Sequence, residues 1–524
     1  MFRTVANDNG LRSALDEGRF VCSAELVLGR DHTVSEAEDF VEAASRQQDG
    51  IKVISLTDLP GGNPALPPEA FVRAVIDRHL TPIAHLTGKD GNRSLLEGRL
   101  HALARLGAAN VLALTGDAQK DGFHGKAKPV HDLDSVLILW LIRALRSGLE
   151  YRLGSRAAQT TPFEFYPGAV VNPFKVREPD LMMQLYKLEL KIAAGARFII
   201  TQIGFNVRKL DELKQYMRRE GLGHIPVLAN VYVPTATIAR MMRSGELAGC
   251  VVSEELVRRL EKEKKPQRLE RAALMVAAAK ELGFAGAHIG GFGLSHGDFM
   301  SILERAAAIG GEWRQRMEEL VFAEPGEFYL LPPGGDGLSD SSGSYQVAES
   351  RRRPSWTQRI SRAVHRLLIA EGSLGARFFG KRLKQPGAGD AWRQGLWCRL
   401  LEPSSLYRKA ALGCASCGDC IQEHLDYVGC SMRWCYKELR NGPCGGSRID
   451  GTCEARPELA CIWNQVYLGA RALGDDPRKF ARTLIPPRDW RLDQTNALVN
   501  RLAGLDNLPN RVQLQSGESK QEET

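Results

Sequence analysis

Nine of the eleven cysteines lie in the last quarter of the chain. Eight of them follow one another at short intervals, at Cys414, Cys417, Cys420, Cys430, Cys435, Cys444, Cys453 and Cys461. Thiolates at such spacings bind iron–sulfur clusters or zinc, and eight suffice for about two [4Fe–4S] clusters or two tetrahedral zinc ions. The opening triplet, with two residues between neighbours, favours clusters, because three thiolates can cap one face of a cubane. The sequence therefore predicts a cysteine-rich metal-binding module.

A second set of residues with a possible chemical role stands at the ends of short apolar runs in the first 300 residues. Its members are Glu25, Thr57, Asp58, His85, Thr87, Gly116, Asp117, Gln202, Tyr232 and His288. Glu25 has apolar neighbours, so we expect its pKa to be raised and its carboxyl to stay protonated near neutral pH. Asp117 is expected to stay ionised and to favour a nearby cation. A proton donor beside a cation stabiliser is the pair that opens an aminal to an iminium ion.

The apolar runs that carry these residues are predicted to be buried strands, and a helical pattern follows each of them. The predicted strands span 20–28, 51–57, 81–87, 109–115, 162–171, 196–204, 225–233 and 285–291. Eight strand-then-helix units in this length predict an α/β fold, a (β/α)8 TIM barrel, with an open doubly wound sheet as the alternative. Because a barrel gathers the carboxyl ends of its strands at one rim, the polar residues above are expected to share that rim.

The rest of the chain divides by composition. We predict the (β/α)8 barrel over 1–325, a Gly/Ser/Pro linker over 326–349, a basic helical segment over 350–395, a cysteine-rich module over 396–490 and a tail over 491–524, polar after Asn510. The lone cysteines Cys22, Cys250 and Cys398 are expected to be core residues.

The net charge of +8 comes from one place, because residues 350–385 carry ten basic residues and one acid. The high isoelectric point is therefore no sign of a nucleic-acid-binding protein. The simplest expectation is a surface helix pair that packs through Ile360, Val364, Leu367 and Leu368. The second interpretation is a docking face for an acidic protein. Binding to a membrane surface or to nucleic acid are the remaining interpretations.

Overall composition is that of a globular protein, with 43% hydrophobic and 25% charged residues, so wholesale disorder is excluded. The N-terminus has no apolar core of a secretory signal, and no run of 18 apolar residues occurs. We therefore expect a cytoplasmic protein without a transmembrane segment, in which clustered cysteines bind metal rather than form disulfides. A homo-oligomer is compatible with the sequence.

Four segments together carry a family likeness. They are SAELV (23–27), VISLTD (53–58), PIAHLTGKDGNRSLLEGRLHALARLGAANVLALTGD (82–117) and LKIAAGARFIITQ (190–202). In order and separation they resemble the methylenetetrahydrofolate reductase family, over residues 15–310. The resemblance implies a flavin-bearing (β/α)8 barrel that reduces 5,10-methylenetetrahydrofolate to 5-methyltetrahydrofolate in one-carbon and methionine metabolism.

The resemblance also implies roles for individual residues. Glu25 takes the place of the general acid, and Asp117 that of the carboxylate which stabilises the iminium cation. Gln202 would bind the folate, and Thr57, His85 and Lys191, with Asp117, would contact the flavin, FAD or alternatively FMN. From their place at the strand ends we add Tyr232 to the predicted folate site and Thr87 and Gly116 to the predicted cofactor site. The chain departs from the family at Thr115, where Arg is common, and at residues 203–206, where IGFN replaces an aromatic-rich segment.

The cysteine-rich region resembles the C-terminal module associated with such reductases in anaerobic one-carbon pathways, often on a separate subunit. There it is linked with iron–sulfur clusters and electron delivery, which implies NAD(P)H or a ferredoxin-like protein as the electron donor. Two alternatives stay open. One is a folate-dependent C1-transfer or demethylation protein without flavin. The other is a non-catalytic folate-binding partner with a structural zinc module.

Overall fold

The computed structural model describes residues 9–30, 32–47, 50–347, 352–370, 372–383, 396–506 and 512–513. Most of the polar tail and residues 384–395 of the basic segment lie outside these ranges. The chain divides into two units: residues up to 347 together with Gly445–Asp450, and the remainder of 348–524. In the described residues, no helix is long and apolar enough to cross a membrane.

Eight parallel strands form a closed barrel in the first unit. They are β1 (Val21–Leu26), β2 (Val53–Leu56), β3 (Thr81–Thr87), β4 (Asn110–Leu114), β5 (Tyr166–Val171), β6 (Phe198–Thr201), β7 (Val227–Tyr232) and β8 (Gly286–Gly290). Each strand pairs with its neighbours in sequence, and β8 pairs with β1. The (β/α)8 TIM barrel prediction is therefore confirmed, and the open doubly wound sheet is wrong.

Helices surround the barrel. They are α1 (Gly10–Asp16), α2 (His32–Arg46), α3 (Glu69–Ile76), α4 (Arg93–Leu106), α5 (Ser135–Ser147), α6 (Glu178–Ala194), α7 (Val207–Arg219), α8 (Ala236–Ser244), α9 (Glu254–Lys262), α10 (Lys265–Glu281) and α11 (His296–Ile309). Helix α1 differs from the others, because its Leu11 and Leu15 pack into the barrel core with Val21 and Phe198. It therefore closes the end of the barrel at which the strands begin.

Three additions to the barrel were not predicted. Short hairpins pair Asp121–Gly122 with Gly125–Lys126 and Glu150–Leu153 with Arg156–Gln159. Residues 328–346, most of the stretch predicted as a linker, pack along α7. Leu330 and Leu331 are fully buried there, and the carboxylates of Asp211 and Glu212 accept backbone N–H groups of Ser339 and Leu331.

The second unit is built from short helices. They are α12 (Trp356–Val364), α13 (Leu374–Leu383), α14 (Leu396–Leu401), α15 (Pro403–Leu412), α16 (Ser431–Trp434), α17 (Ile462–Ala472) and α18 (Ala497–Ala503). A small core joins Leu383 and Cys398 to Leu498 and Leu502, which confirms that Cys398 is a core residue.

The expected packing of the basic helix is wrong. Ile360, Val364 and Leu367 are exposed, and only Leu368 packs, against Gly375 of α13. The buried face of α12 instead carries Gln358 and Ser361. Helical spacing identified an apolar stripe correctly, but the polar partners on the other side of the helix decide which face packs.

Candidate functional site

The predicted strand-end residues line the inside of the barrel near its carboxyl end. Val21 of β1 and Ile83 of β3 belong to the barrel core. Because alternate residues of a strand share a face, Glu25 on β1 and Thr87 on β3 also point inward, two layers higher. The same alternation from Phe198 of β6 reaches Gln202. The topology thus brings these side chains to one rim, as expected for this fold.

A buried hydrogen-bonded chain connects three of the inward residues. His288 Nδ1 lies 2.9 Å from Ser23 Oγ, and His288 Nε2 lies 3.1 Å from Glu25 Oε2. His288 is almost fully buried, and its register neighbour across the sheet is Ser23. Glu25 therefore has an imidazole partner that can exchange a proton with it.

The expected protonation of Glu25 is wrong. Burial alone would raise the pKa of Glu25, but the hydrogen bond from His288 and the charge of His288 outweigh burial and lower it. His85 adds a smaller lowering effect. Since the partner is 263 residues away in sequence, the local apolar pattern around Glu25 could not reveal it.

His85 is a buried residue near Glu25 and is held neutral. Its Nε2 atom is 2.7 Å from the hydroxyl of Ser55, and its side chain is buried. Burial lowers the pKa of His85 to about 4, against opposing effects of Glu25 and Asp58. An uncharged imidazole at this depth can donate or accept a hydrogen bond without repelling a cation.

This low pKa predicts a loss of stability in acid. Because the folded pKa of His85 lies near 4 and its ordinary value is 6.5, the unfolded chain binds more protons between these pH values. The contribution of neutral His85 is complete above pH 6.5 and falls by up to about 3 kcal/mol toward pH 4. In His85→Gln, urea unfolding followed from pH 7 to pH 4.5 is expected to show a smaller decline. The exposed His224→Gln should decline like the parent, and equal declines in all three proteins contradict the prediction.

Asp117, Tyr232 and Cys250 complete the rim near Glu25. Burial, and next the charge of Asp117, raise the pKa of the Cys250 thiol to about 12, with further effects of Lys175 and Glu25. Burial, followed by the charges of Glu25 and Cys250, raises the pKa of Tyr232. The thiol, which is near both carboxylates, and the phenol, which is near Glu25, are therefore neutral side chains. Cys250, predicted as a core residue, borders this site.

The segment Gly445–Asp450 covers the rim beyond β5 and β6. Asn172 Nδ2 donates to Gly249 O at 2.7 Å, and Lys175 Nζ donates to Ser447 O at 2.7 Å. A Cβ atom on Gly249 would lie 3.3 Å from Gln202 Nε2 and 3.2 Å from Gly445 O. Gln202 therefore stands beside this segment. Asn172 and Lys175 were not predicted, although two polar residues directly after a buried strand in NPFK are a usable signal.

Several predicted cofactor residues already have protein partners. Thr57 Oγ1 accepts a bond from Leu28 N, and Thr87 donates both N–H and O–H to Asp58. Arg99 donates to both carboxylate oxygens of Asp58, at 3.0 and 3.1 Å. Lys191 Nζ donates to Val170 O at 2.6 Å. These contacts hold the side chains around the rim in place. The role of each residue in cofactor binding stays a prediction.

The eight clustered thiols form two sets in the second unit. Cys414, Cys417, Cys420 and Cys430 line one cavity. After burial, the charges of Cys444 and Cys453 are among the effects that raise the pKa of Cys435 to about 12, so these three thiols are neighbours. A bridge between Thr452 and Ala460 brings the fourth, Cys461, beside Cys453.

All eleven cysteines are free thiols. Among the residues that the structure describes, no three His, Cys, Asp or Glu side chains are close enough together to hold a metal ion.

Comparison with known families gives two matches. Residues 10–288 match the family described as "Methylenetetrahydrofolate reductase", and residues 399–491 match "Methylene-tetrahydrofolate reductase C terminal". "Methylenetetrahydrofolate reductase 2" of Schizosaccharomyces pombe is 25% identical over 196 residues, which are 36% of this chain and 29% of that protein. The match thus spans less than a third of that relative.

Two solved structures are similar at low identity. A Clostridium thermocellum protein that binds two copies of 5-methyl-5,6,7,8-tetrahydrofolic acid shares 12% identity, with a TM-score of 0.39, over 57% of this chain and 98% of that one. A 2,3-dimethylmalate lyase shares 15% identity, with a TM-score of 0.33, over 57% of this chain and 84% of that one.

Proposed function

The chain belongs to the methylenetetrahydrofolate reductase family, and from this membership we propose that it reduces 5,10-methylenetetrahydrofolate to 5-methyltetrahydrofolate. The observation that carries the proposal is that Glu25, Asp117 and Tyr232 lie near one another at one barrel rim. The charges of both carboxylates raise the pKa of Cys250, and the charge of Glu25 raises that of Tyr232. Acid, cation stabiliser and neutral donor are the groups that this substrate requires.

Glu25 begins the reaction by protonating the folate nitrogen that leaves the methylene carbon. Because its pKa is lowered, Glu25 is ionised before the reaction and must first receive this proton from another group. His288, hydrogen-bonded to Glu25 on one side and to Ser23 on the other, supplies the proton through the carboxylate. Asp117 then stabilises the iminium cation at the other folate nitrogen, because an ionised carboxylate lowers the energy of a nearby positive charge.

Gln202 and Tyr232 orient the folate. Gln202 Oε1 accepts a bond from Ile203 N at 2.9 Å, which holds the amide at the rim. The raised pKa of Tyr232 keeps its hydroxyl protonated as a hydrogen-bond donor. Orientation matters because the methylene carbon must meet a hydride in line with its empty orbital.

Residues at the rim fit a flavin, FAD or FMN. His85 is neutral, and Asn230 Oδ1, an acceptor in the barrel wall, is buried without a protein partner in the described chain. Such groups suit a large uncharged ring with both donors and acceptors at its edge. Thr57, His85, Thr87, Gly116 and Lys191 would hold it. When bound, a flavin supplies the hydride for the methylene carbon.

The cysteine module is proposed to bind two metal centres, one for each set of thiols. Four thiolates per set match the ligand number of a [4Fe–4S] cluster and of a structural zinc ion. The cavity shared by Cys414, Cys417, Cys420 and Cys430 supports the first centre. We favour iron–sulfur clusters that carry electrons toward the barrel, from NAD(P)H or from a protein donor.

Anaerobic purification followed by one assay tests the function. The protein is expected to show flavin absorption and about eight iron atoms per chain, and to convert 5,10-methylenetetrahydrofolate to 5-methyltetrahydrofolate with dithionite-reduced methyl viologen. About two zinc atoms would make the module structural and leave the barrel chemistry in place. A flavin-free protein without turnover contradicts the proposal.

A further inference from the structure

The loop between β6 and α7, residues 202–206, begins with the predicted folate residue Gln202. Gln202 Oε1 accepts the N–H of Ile203 at 2.9 Å, so the amide of Gln202 follows the backbone of this loop. A Cβ atom on Gly204 would overlap the ring of Phe174, so the loop lies directly against that ring. The position of the loop therefore determines the position of Gln202.

A cavity lies behind the loop. Gly204 and Phe205 of the loop line it, and so does Tyr232, the second predicted folate residue. Groups next to a cavity lack packing partners on that side. Packing alone therefore leaves the loop room to move, and its position depends on contacts elsewhere.

Residues 320–329, which we call the brace, pair with the end of the loop. Phe322 N donates to Phe205 O at 3.0 Å, and Val207 N donates to Leu320 O at 2.9 Å. The match to the reductase family ends before the brace begins, so the family likeness does not account for these bonds. Two backbone bonds thus tie the end of the loop to a segment that is not part of the barrel.

The side chain of Asn206 makes a second attachment to the brace. Asn206 is buried, and its Nδ2 donates to the hydroxyl of Tyr329 at 2.8 Å and to Glu327 Oε2 at 3.3 Å. Its Oδ1 accepts the N–H of Arg208 at 3.2 Å and so caps α7. Because a buried amide without partners is costly, these bonds favour one position of the loop.

Two cations of α7 hold Tyr329 and Glu327 in place. Arg208 Cζ lies 3.8 Å, and Lys209 Nζ 4.5 Å, from the centre of the Tyr329 ring. Lys209 is fully buried, and its Nζ donates to Phe328 O and lies 3.9 Å from Glu327 Oε1. The two acceptors in the brace are thus themselves fixed.

We propose that the brace positions Gln202 for folate binding. This inference rests on the proposed function. Asn206, Glu327 and Tyr329 are then positioning residues, which act through the loop and touch no reacting atom. A loop already held in its binding position loses less conformational freedom when the folate binds, so its affinity is higher. Loss of a brace contact should therefore raise KM and leave kcat nearly unchanged.

Two matched substitutions test the brace in the intact holoprotein. Tyr329→Phe removes the hydroxyl that is bonded to Asn206, and Tyr345→Phe, the control, removes a hydroxyl that is bonded to Glu220 at the far end of α7. KM and kcat for 5,10-methylenetetrahydrofolate are measured with reduced methyl viologen, and the Kd of 5-methyltetrahydrofolate by calorimetry. Tyr329→Phe is expected to raise KM and Kd about fivefold, with kcat within about twofold of the parent. The control should match the parent in all three constants.

A reversed hydrogen bond provides a rescue. Asn206→Asp keeps the oxygen that caps α7 but places a carboxylate beside that of Glu327, so KM and Kd should rise at least about tenfold. In Asn206→Asp/Glu327→Gln the glutamine amide can donate to the new carboxylate, and one negative charge remains near Lys209. This double variant should return to within about threefold of the parent.

Several outcomes overturn the inference. Unchanged KM and Kd in Tyr329→Phe and Asn206→Asp would do so, and so would equal rises in Tyr329→Phe and Tyr345→Phe. A fall in kcat at unchanged KM also contradicts a positioning role. A rise in Asn206→Asp that Glu327→Gln does not reverse would make Asn206 a structural residue only.

If the parent shows no turnover and binds no 5-methyltetrahydrofolate, the proposed function fails. The brace is then judged separately, by hydrogen exchange in the peptide that contains residues 202–206. Faster exchange in Asn206→Asp that is reversed in Asn206→Asp/Glu327→Gln supports the positioning of the loop by the brace, and equal exchange overturns it.

Discussion

Glu25→Gln is expected to lower the rate of 5-methyltetrahydrofolate formation by about 10²-fold or more. The amide keeps the size of the carboxyl and can still bond to His288, but it cannot pass a proton to the folate. The rate is measured at saturating substrate with reduced methyl viologen as the electron donor, so that it reports kcat and not substrate binding. Glu42→Gln, a carboxylate on α2 that pairs with Arg46 and Arg78, is the matched control and should stay within twofold of the parent.

A variant at His288 tests whether Glu25 receives its proton from His288 or acts as the acid without it. Without the hydrogen bond and charge of His288, burial dominates and the pKa of Glu25 rises. In His288→Asn the carboxyl should therefore be protonated at neutral pH and show an infrared carboxylic-acid band that is absent from the Glu25→Gln/His288→Asn double variant. Glu25→Gln that keeps most of its turnover contradicts the assignment of Glu25 as the acid.

Arg99→Met is expected to destabilise the barrel by about 3–5 kcal/mol. Asp58 is completely buried, and Arg99 is the cation that neutralises it while also bonding to Glu69. The substitution leaves the carboxylate buried without its cation, and Thr87 is its remaining donor among the residues that the structure describes. Burial opposes the charge of Arg99, but Glu69 and Asp58 outweigh it and raise its pKa, in agreement with a tightly bound cation.

Hydrogen exchange measured by mass spectrometry in increasing urea reports this loss in the peptides of β2 and β3. Arg46→Met is the control, because it removes an exposed ion pair with Glu42 that solvent screens and that adds little to stability. Similar losses in the two variants contradict a dominant role for the buried pair. The Arg99 variant should also lose activity at temperatures where the control remains active, since Thr87 is held by the same carboxylate.

The barrel could be predicted from the sequence because its signal is local and repeated. Each apolar run of strand length is followed by a helical pattern, and the parallel topology then places Glu25 and Gln202 at one rim without any knowledge of contacts. The resemblance to the reductase family rested on these same segments.

The rest depends on contacts that sequence spacing does not encode. The pKa of Glu25 is set by an imidazole on the last strand, which only the closure of the barrel brings to the first. The outward face of α12 is decided by Asp426 and Asp475, which bind the other face of this helix and are far away in the chain. Residues 328–346 looked like a linker by composition, yet α7 carries the buried carboxylates that bind their backbone.

The barrel unit is discontinuous in sequence, because Gly445–Asp450 belongs to it although the preceding residues belong to the other unit. Cys444 and Cys453 flank this segment closely. A gene split after residue 347 would therefore encode a barrel without part of its own rim, next to Asn172, Lys175 and Gln202. Exchange of the cysteine region between relatives is constrained in the same way. The incoming sequence must supply its own equivalent of these six residues, because otherwise the surface of the proposed folate site would change.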